Sequence, residues 1–484
     1  MKPVPTPSEP RGTAAPHVED DGFEHVVEEL RLLEKLNQQQ VRGTSILDTL
    51  YGHCMEAVEA RLPALSKMYL PISRRQRRIV LNMQESLSIL ADFLAGDIND
   101  LPPLSLWRIL RLLSRHLFIS SLTASPPGAG IWRRLHQAYA LADRQGIAQA
   151  VPKGAARSPR DEYLAAILLG CSQPSSFTSR EIFFLEAYVE RFVQEVDVGV
   201  QPDSPVAFWI DLDSDATATS YARKLPAPGT PVRNFSCRTL ASLLESQLAA
   251  LESGTPPEEL DLPPFAATAA GFGVLTRLVH SWGNPGKRRF PRRSQNYRGE
   301  LCLGFDNLCR LYGTHQPIDS STWMITNKSP DGFAVMHLSG ETHAIKVGDI
   351  AALRTENEDD WQLCIIRWAL SESREHIELG LQILSSSAYL ADIALPTTER
   401  RTALVLPAGS MLRQNETLVV PTGALAGHPG KLVLVVEHDK IEIREIGFVH
   451  CDERNGLVEL YEIVPQRGDQ SRGDQRAGHR LSPA

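Results

Sequence analysis

The chain has 484 residues, 42% of them hydrophobic and 22% charged, with 50 basic against 58 acidic side chains for a net charge of −8. That length fits roughly three domains of about 150 residues, and the composition excludes a wholly disordered, collagenous or membrane-embedded chain. An acidic total also argues against a dedicated nucleic-acid-binding protein, whose domains are strongly basic.

The longest apolar stretches, around 164–171 and 432–436, are too short to span a bilayer. No apolar segment follows Lys2, so no secretory signal is expected and a cytoplasmic location is. The seven cysteines, at 54, 171, 237, 302, 309, 364 and 451, form no CxxC pair. They read as buried reduced thiols, with neither a disulfide framework nor a metal site.

In chain order, residues 1–20 are rich in Pro, Glu and Asp and predict a disordered tail. From 21 to about 200 the pattern is helical. Leu47, Leu50, Tyr51, Cys54, Val58 and Leu62 recur at three- and four-residue steps, with Ser45 and Asp48 resembling a capping pair. Further helices are predicted over 75–94, 104–117, 131–144, 162–169 and 180–196. Trp132, Leu135, Ala138, Tyr139 and Ala142 faintly resemble a tetratricopeptide unit, but no periodic copies follow, and a helical bundle or solenoid is the general expectation. Arg74-Arg75-Gln76-Arg77-Arg78 begins a helix where arginine opposes the dipole. It reads as a solvated face, a partner or membrane-surface contact being the sharper alternative. A strand is predicted over 207–212, then helices over 240–251 and 268–282. From 299 to 465 strands dominate, with Gly, Asn and Asp at the turns. The tail from 466 repeats Arg-Gly-Asp-Gln and predicts disorder.

Two motifs fail. Asp211-Leu212-Asp213-Ser214-Asp215 opens like a calcium loop, but Ala216 and Ala222 stand where Gly and Glu are required. Gly283-Asn284-Pro285-Gly286-Lys287 imitates the end of a phosphate-binding loop, but Arg288 replaces the Ser or Thr that would meet Mg²⁺. No GxSxG, HExxH or kinase signature occurs. The expectation is no catalytic residue, no metal and no cofactor.

The basic cluster Lys287-Arg288-Arg289-Phe290-Pro291-Arg292-Arg293, with Arg298, stands apart from the acidic average. Pro291 blocks a helix, so the segment reads as an extended arm. Residues four apart on such an arm face the same side about 13 Å apart, and the guanidinium fork suits phosphate and guanine edges. Further on, Asn327-Lys328-Ser329-Pro330-Asp331-Gly332 is an NxSxxG element between two strands. Its Asn and Ser can hydrogen-bond a purine edge, and Gly332 permits a positive φ or a close backbone approach.

An RxxxR arm followed by (D/N)xSxxG at a strand junction resembles the ligand-binding signature of the PilZ family of cyclic di-GMP receptors. Val347-Gly348-Asp349-Ile350, Cys364-Ile365-Ile366-Arg367-Trp368 and Glu378-Leu379-Gly380-Leu381-Gln382-Ile383 are similar to the family's glycine turn, "VxRW" strand and closing strand. The resemblance covers about residues 286–390 and implies a six-stranded antiparallel barrel binding cyclic di-GMP at its outer edge. It maps the two arginines onto Arg288 and Arg292, with Arg289 and Arg293 an equally spaced register, and the second motif onto Asn327, Ser329 and Gly332. The segment 297–312 departs from the minimal barrel as a strand plus a short amphipathic piece that could shift the arm or cover an edge.

The expected fold class is therefore α+β: an α-helical domain over 21–283, a PilZ-like six-stranded antiparallel β-barrel over 286–392 and a further small β unit over 396–465, between tails 1–20 and 466–484. The small unit either forms its own barrel or extends the first. The expected function is a cyclic di-GMP receptor or effector whose helical domain engages a protein partner, with no nucleic acid bound and no transmembrane segment. The alternative is a helical scaffold with a degenerate, non-binding barrel that acts only through protein partners. A single-strand nucleic-acid binder is the third reading, with thin support from 7% aromatics.

Overall fold

The computed structural model describes residues 45–465, with Val27, Glu28 and Arg31, apart from 97–100, 200–206, 287–289, 314–317, 343–344, 374–375, 395–399, 410–414, 427–430 and 438–440. Both expected tails, and Arg288 and Arg289, lie outside the described residues. The architecture is α+β: a mainly helical region followed by two closed six-stranded antiparallel barrels.

The helical region opens with α1 (Ser45–Leu65), α2 (Arg74–Ala95), α3 (Pro103–Leu122), α4 (Ile131–Arg144), α5 (Pro159–Cys171) and α6 (Ser179–Phe192). Helix α2 starts on its basic run because a capping box holds it. Ser73 Oγ accepts from the Gln76 amide at 3.2 Å, and the Gln76 side chain accepts from the Ser73 amide at 3.0 Å. Arg74, Arg75 and Arg78 are exposed, but Arg77 is half-buried and faces the field of Glu372 in the first barrel. The run is thus only partly a solvated face. Asp48, expected in a capping pair, instead meets Arg108 of α3.

Helix α3 is the central element, packed by α2, α4 and α5. One interior polar pair ties it to α2: Gln84 Nε2 donates to Ser120 Oγ at 2.8 Å. Its middle turns carry Arg111 and Arg115, which meet Glu59, Glu162, Glu186 and Glu190 from α1, α5 and α6. Charges this poorly solvated persist because each has an opposite partner.

A four-stranded antiparallel sheet, β1 (Asp197–Val198), β2 (Ala207–Asp211), β3 (Thr219–Ser220) and β4 (Val232–Ser236), lies against the helices in the order β1-β4-β2-β3. The sequence reading holds only one of these strands, since two of the others are two residues long and carry no periodicity. The calcium-like motif proves to be a helix cap. Asp215 accepts from the amides of Gly130 at 2.5 Å and Trp132 at 3.1 Å, at the start of α4. Gly130 has no side chain with which to cap that helix itself. Helices α7 (Arg238–Glu252) and α8 (Ala269–Leu278), the latter continued by a wider turn to Gly283, complete one apolar core around Trp282 and Tyr188.

The first barrel comprises β5 (Arg293–Leu303), β6 (Ser320–Ser329), β7 (Gly332–Ser339), β8 (Ile350–Thr355), β9 (Gln362–Ser371) and β10 (Ile377–Ser385), closed in the order β10-β7-β6-β5-β8-β9. The second comprises β11 (Tyr389–Ala394), β12 (Arg400–Leu406), β13 (Glu416–Pro421), β14 (Lys431–Glu437), β15 (Ile441–Arg454) and β16 (Val458–Pro465). It is a closed barrel of its own and does not extend the first. Strand β11 pairs with β12 and β14, so this barrel begins at Tyr389, ahead of the 392–396 division read from sequence.

The two barrels share a core. In β9, Cys364 and Ile366 fill the first barrel while Leu363 and Ile365 point outward. The outward pair joins Ile350 and Ala352 of β8 and packs on Leu404, Leu406, Val419 and Leu460 of the second barrel. Burial on both faces explains why these strands read as continuous apolar runs rather than alternating ones. Each buried Leu, Ile or Val of this set contributes about 1.5–3 kcal/mol of apolar burial, which holds the two barrels against each other. Helix α9 (Phe305–Gly313) is the addition noticed in the sequence, and it lies at this junction, where Leu308 joins the shared core and Gly313 abuts Leu390.

The helical region is joined to the first barrel by backbone hydrogen bonds, Ile345 N to Leu70 O and Ser371 N to Ala124 O, both 2.8 Å. Among the described residues no helix is long and apolar enough to cross a membrane.

Candidate ligand-binding site

A cleft of about 350 Å³ opens on the rim of the first barrel. The arm supplies one wall through Phe290 and Arg292, just before β5 begins. Arg293 is the first residue of β5, opposite Lys328 in the ladder, and is not part of the lining. Of the two arginine registers, the one containing Arg292 reaches the cleft with its described member.

The β6–β7 turn supplies the floor. Ser329 Oγ donates to Asp331 Oδ1 at 2.6 Å, with the Gly332 carbonyl at 3.2 Å, so the hydroxyl organises the turn. The Asp331 carbonyl accepts from the Ile383 amide at 2.9 Å, which ties the turn to β10. Gly332 is required for close approach: a Cβ there would overlap the Leu381 carbonyl oxygen, while its φ is outside the left-handed region. Of the two roles open to this glycine from sequence, the second is the one used. Asn327 is half-buried and its side chain makes no hydrogen bond with a described residue, leaving its amide to face the cleft.

The opposite wall is Arg367 and Trp368 of β9. Consecutive residues of a regular strand point to opposite faces, yet both line the cleft. The cause is a β-bulge. Trp368 pairs with Gly380 and Ile366 with Leu381, so Arg367 is the extra residue between them. Bulges re-aim side chains in this way. The Arg367 guanidinium is held by Gln382 Oε1 and by both oxygens of Glu453 from the second barrel, the Nη2–Oε2 bond being 2.6 Å.

Arg292, Lys328 and Arg367 set three cations in the lining against the one carboxylate of Asp331. Lys328 is paired with Glu358 at 3.3 Å and lies 5.3 Å from the centre of the Phe333 ring. An anion with flat aromatic parts matches this lining: guanidinium forks for phosphate, an amide for a base edge and an indole for stacking.

Among the residues named from sequence, Arg292, Asn327, Ser329 and Gly332 come together here; Arg293 does not, and Arg288 and Arg289 are outside the described residues. Sequence reasoning used Arg367 and Trp368 only to recognise a strand and missed them as lining. Their signal was a charged and an aromatic residue ending an apolar run. Burial pushes the Cys302 and Cys309 thiols up to about 12, as it does Cys54 and Cys171, which keeps them protonated. Among the described residues no group of three His, Cys, Asp or Glu side chains could hold a metal ion.

A model of the N-terminal domain of the cyclic-di-GMP receptor FimW matches residues 20–203, and a model of that receptor's middle PilZ domain matches residues 312–389. The second stretch contains Asn327, Ser329, Gly332, Arg367 and Trp368, but not the arginine arm. A comparison with curated proteins finds no match. Models of two domains of a single receptor thus match the chain in order, over stretches that together exceed half of its length, and the chain belongs to the family of cyclic-di-GMP receptors that carry a PilZ domain.

Proposed function

We propose that the cleft on the first barrel binds cyclic di-GMP through Arg292 and its arm partner Arg288, with Asn327, Ser329 and Gly332 at its floor, and that binding is signalled through the helical region to a protein partner. One observation carries this reading: cations, a polar edge reader and an aromatic side chain converge on a single cleft. The ligand has two phosphates and two guanines. Arginine forks complement both, since guanine O6 and N7 are a bidentate acceptor pair, and an aromatic face such as that of Trp368 stacks a base.

In this reading the protein is a cytoplasmic receptor rather than an enzyme and needs no cofactor. Exposed Ile46, Tyr69 and Leu81 on and beside α1 and α2 support a partner surface there. Occupancy changes partner affinity only if the ligand favours one arrangement of the chain over another.

Calorimetric titration of the full chain with cyclic di-GMP tests the reading, beside Arg288→Ala/Arg292→Ala and Asn327→Ala variants. Saturable binding by the wild type, lost in the double arginine variant, is the expected result. No heat at tens of micromolar ligand would return the protein to the class of scaffolds acting only through partners.

A further inference from the structure

The end of β15 and the turn that leads to β16 meet three other parts of the molecule within four residues, 453–456. Glu453 grips Arg367 in the cleft wall with both carboxylate oxygens. Asn455 Nδ2 donates to the Gly348 carbonyl at 3.0 Å, in the tight turn before β8. The Arg454 carbonyl lies against Gly273 of α8, where a Cβ would come within 2.6 Å of it, and Gly456 faces Ala270 of the same helix. In the chain, helix α8 and its wider turn precede the arm that carries Arg292. The turn therefore touches the cleft wall and the element preceding the other wall.

Arg367 could not hold its position unaided. It is the extra residue of a bulge, with no ladder partner directly opposite. A long arginine side chain at such a place loses considerable rotamer freedom when ordered. Here Gln382 and Glu453 engage three of its five N–H donors, which sets the plane of the guanidinium. Two N–H donors and the flat faces remain for another group. Glu453 is itself mostly buried by its surroundings, with a side chain 20% exposed. A carboxylate so placed is costly without its cation, so the pair is set together.

We propose that Arg367 contacts the bound dinucleotide and that Glu453 is its positioning residue, so that the ligand site is complete only when the second barrel is docked on the first. This rests on the cyclic di-GMP reading given above. The second barrel then supplies a structural part of the site while contributing no direct contact of its own.

The test is calorimetry with cyclic di-GMP on the full chain, comparing wild type, Arg367→Ala, Glu453→Ala, Glu453→Gln and the double variant Arg367→Ala/Glu453→Ala. Loss of a charged hydrogen-bonding contact weakens binding about tenfold or more, which is expected for Arg367→Ala. Glu453→Ala is expected to weaken binding in the wild-type background and to add nothing once Arg367 is gone. Glu453→Gln keeps the size and one acceptor, and an intermediate loss from it carries the inference if the alanine variant does not fold. Additive losses would make Glu453 merely structural and overturn the inference. Unchanged or tighter binding in both Glu453 variants would overturn it too, the tighter result identifying Glu453 as a competitor for the guanidinium. Wild-type protein that binds no ligand would instead overturn the functional reading itself.

Discussion

The indole of Trp368 covers Gly380 so closely that a Cβ at Gly380 would overlap its Nε1, Cε2 and Cδ1 atoms. The two residues are direct partners across β9 and β10. The absence of a side chain on one strand lets the aromatic of the other lie flat along the cleft wall. Gly380→Ala is therefore expected to push the ring off its seat, costing about 1–3 kcal/mol of overpacking together with ligand affinity. Thermal unfolding and calorimetry on the same variant check both, and unchanged affinity would remove Trp368 from the site.

The arm gives a test of register. Arg292 lines the cleft and Arg293 does not. Arg292→Ala is expected to weaken cyclic di-GMP binding by about tenfold or more, the value of a charged hydrogen-bonded contact. Arg293→Ala should leave affinity within about twofold, as for an exposed surface charge. The reverse ranking would transfer the role to Arg289 and Arg293.

Asp215 should act as a helix cap and not as a cation ligand. Its carboxylate accepts from Gly130 and Trp132 amides at the start of α4, where negative charge is favoured. Asp215→Ala is expected to lower stability by about 1–2 kcal/mol in urea unfolding. Calcium should leave the unfolding midpoint of wild type and variant unchanged.

His116 of α3 sets a pH dependence. Burial, with Arg134 nearby, pushes its imidazole down from the usual 6.5 to about 4. Between pH 6.5 and 4 the unfolded chain therefore takes up a proton that the folded chain does not, and stability contributed by this residue falls as the pH is lowered through that window. The steepest loss is about 1.4 kcal/mol per pH unit. His116→Gln is expected to flatten the stability–pH curve between 6.5 and 4, measured by urea unfolding at successive pH values. A slope identical to wild type would show that His116 is not the group responsible.

The parts of the site legible in sequence were those made by local chemistry. Asn327, Ser329 and Gly332 stand in one tight turn, and Pro291 keeps the arm extended beside it, so short motifs reported both. Arg367 escaped because its position depends on a bulge, and a bulge is a mismatch between two strands rather than a property of either. Asp215 escaped for a similar reason: Gly130, whose amide it accepts from at the start of α4, lies 85 residues earlier, so no local spacing could announce it. The division at 392–396 fell too late because β11 belongs by pairing to β12 and β14, while its position in the chain follows directly on the first barrel.

The acidic average of −8 concealed the basic arm, and the order of residues along the chain was enough to find it. Sequence alone determined the sequence of elements, the helical and strand-rich halves and the two short motifs, because helix periodicity, turn residues and proline act over a few neighbours. Tertiary structure decided that Arg292 rather than Arg293 lines the cleft, that two barrels share one apolar core, and that Glu453 of the second barrel holds Arg367 of the first. Those facts depend on strand register and on contacts between residues far apart in the chain, and burial against a partner surface leaves no period in the sequence by which to recognise the partner.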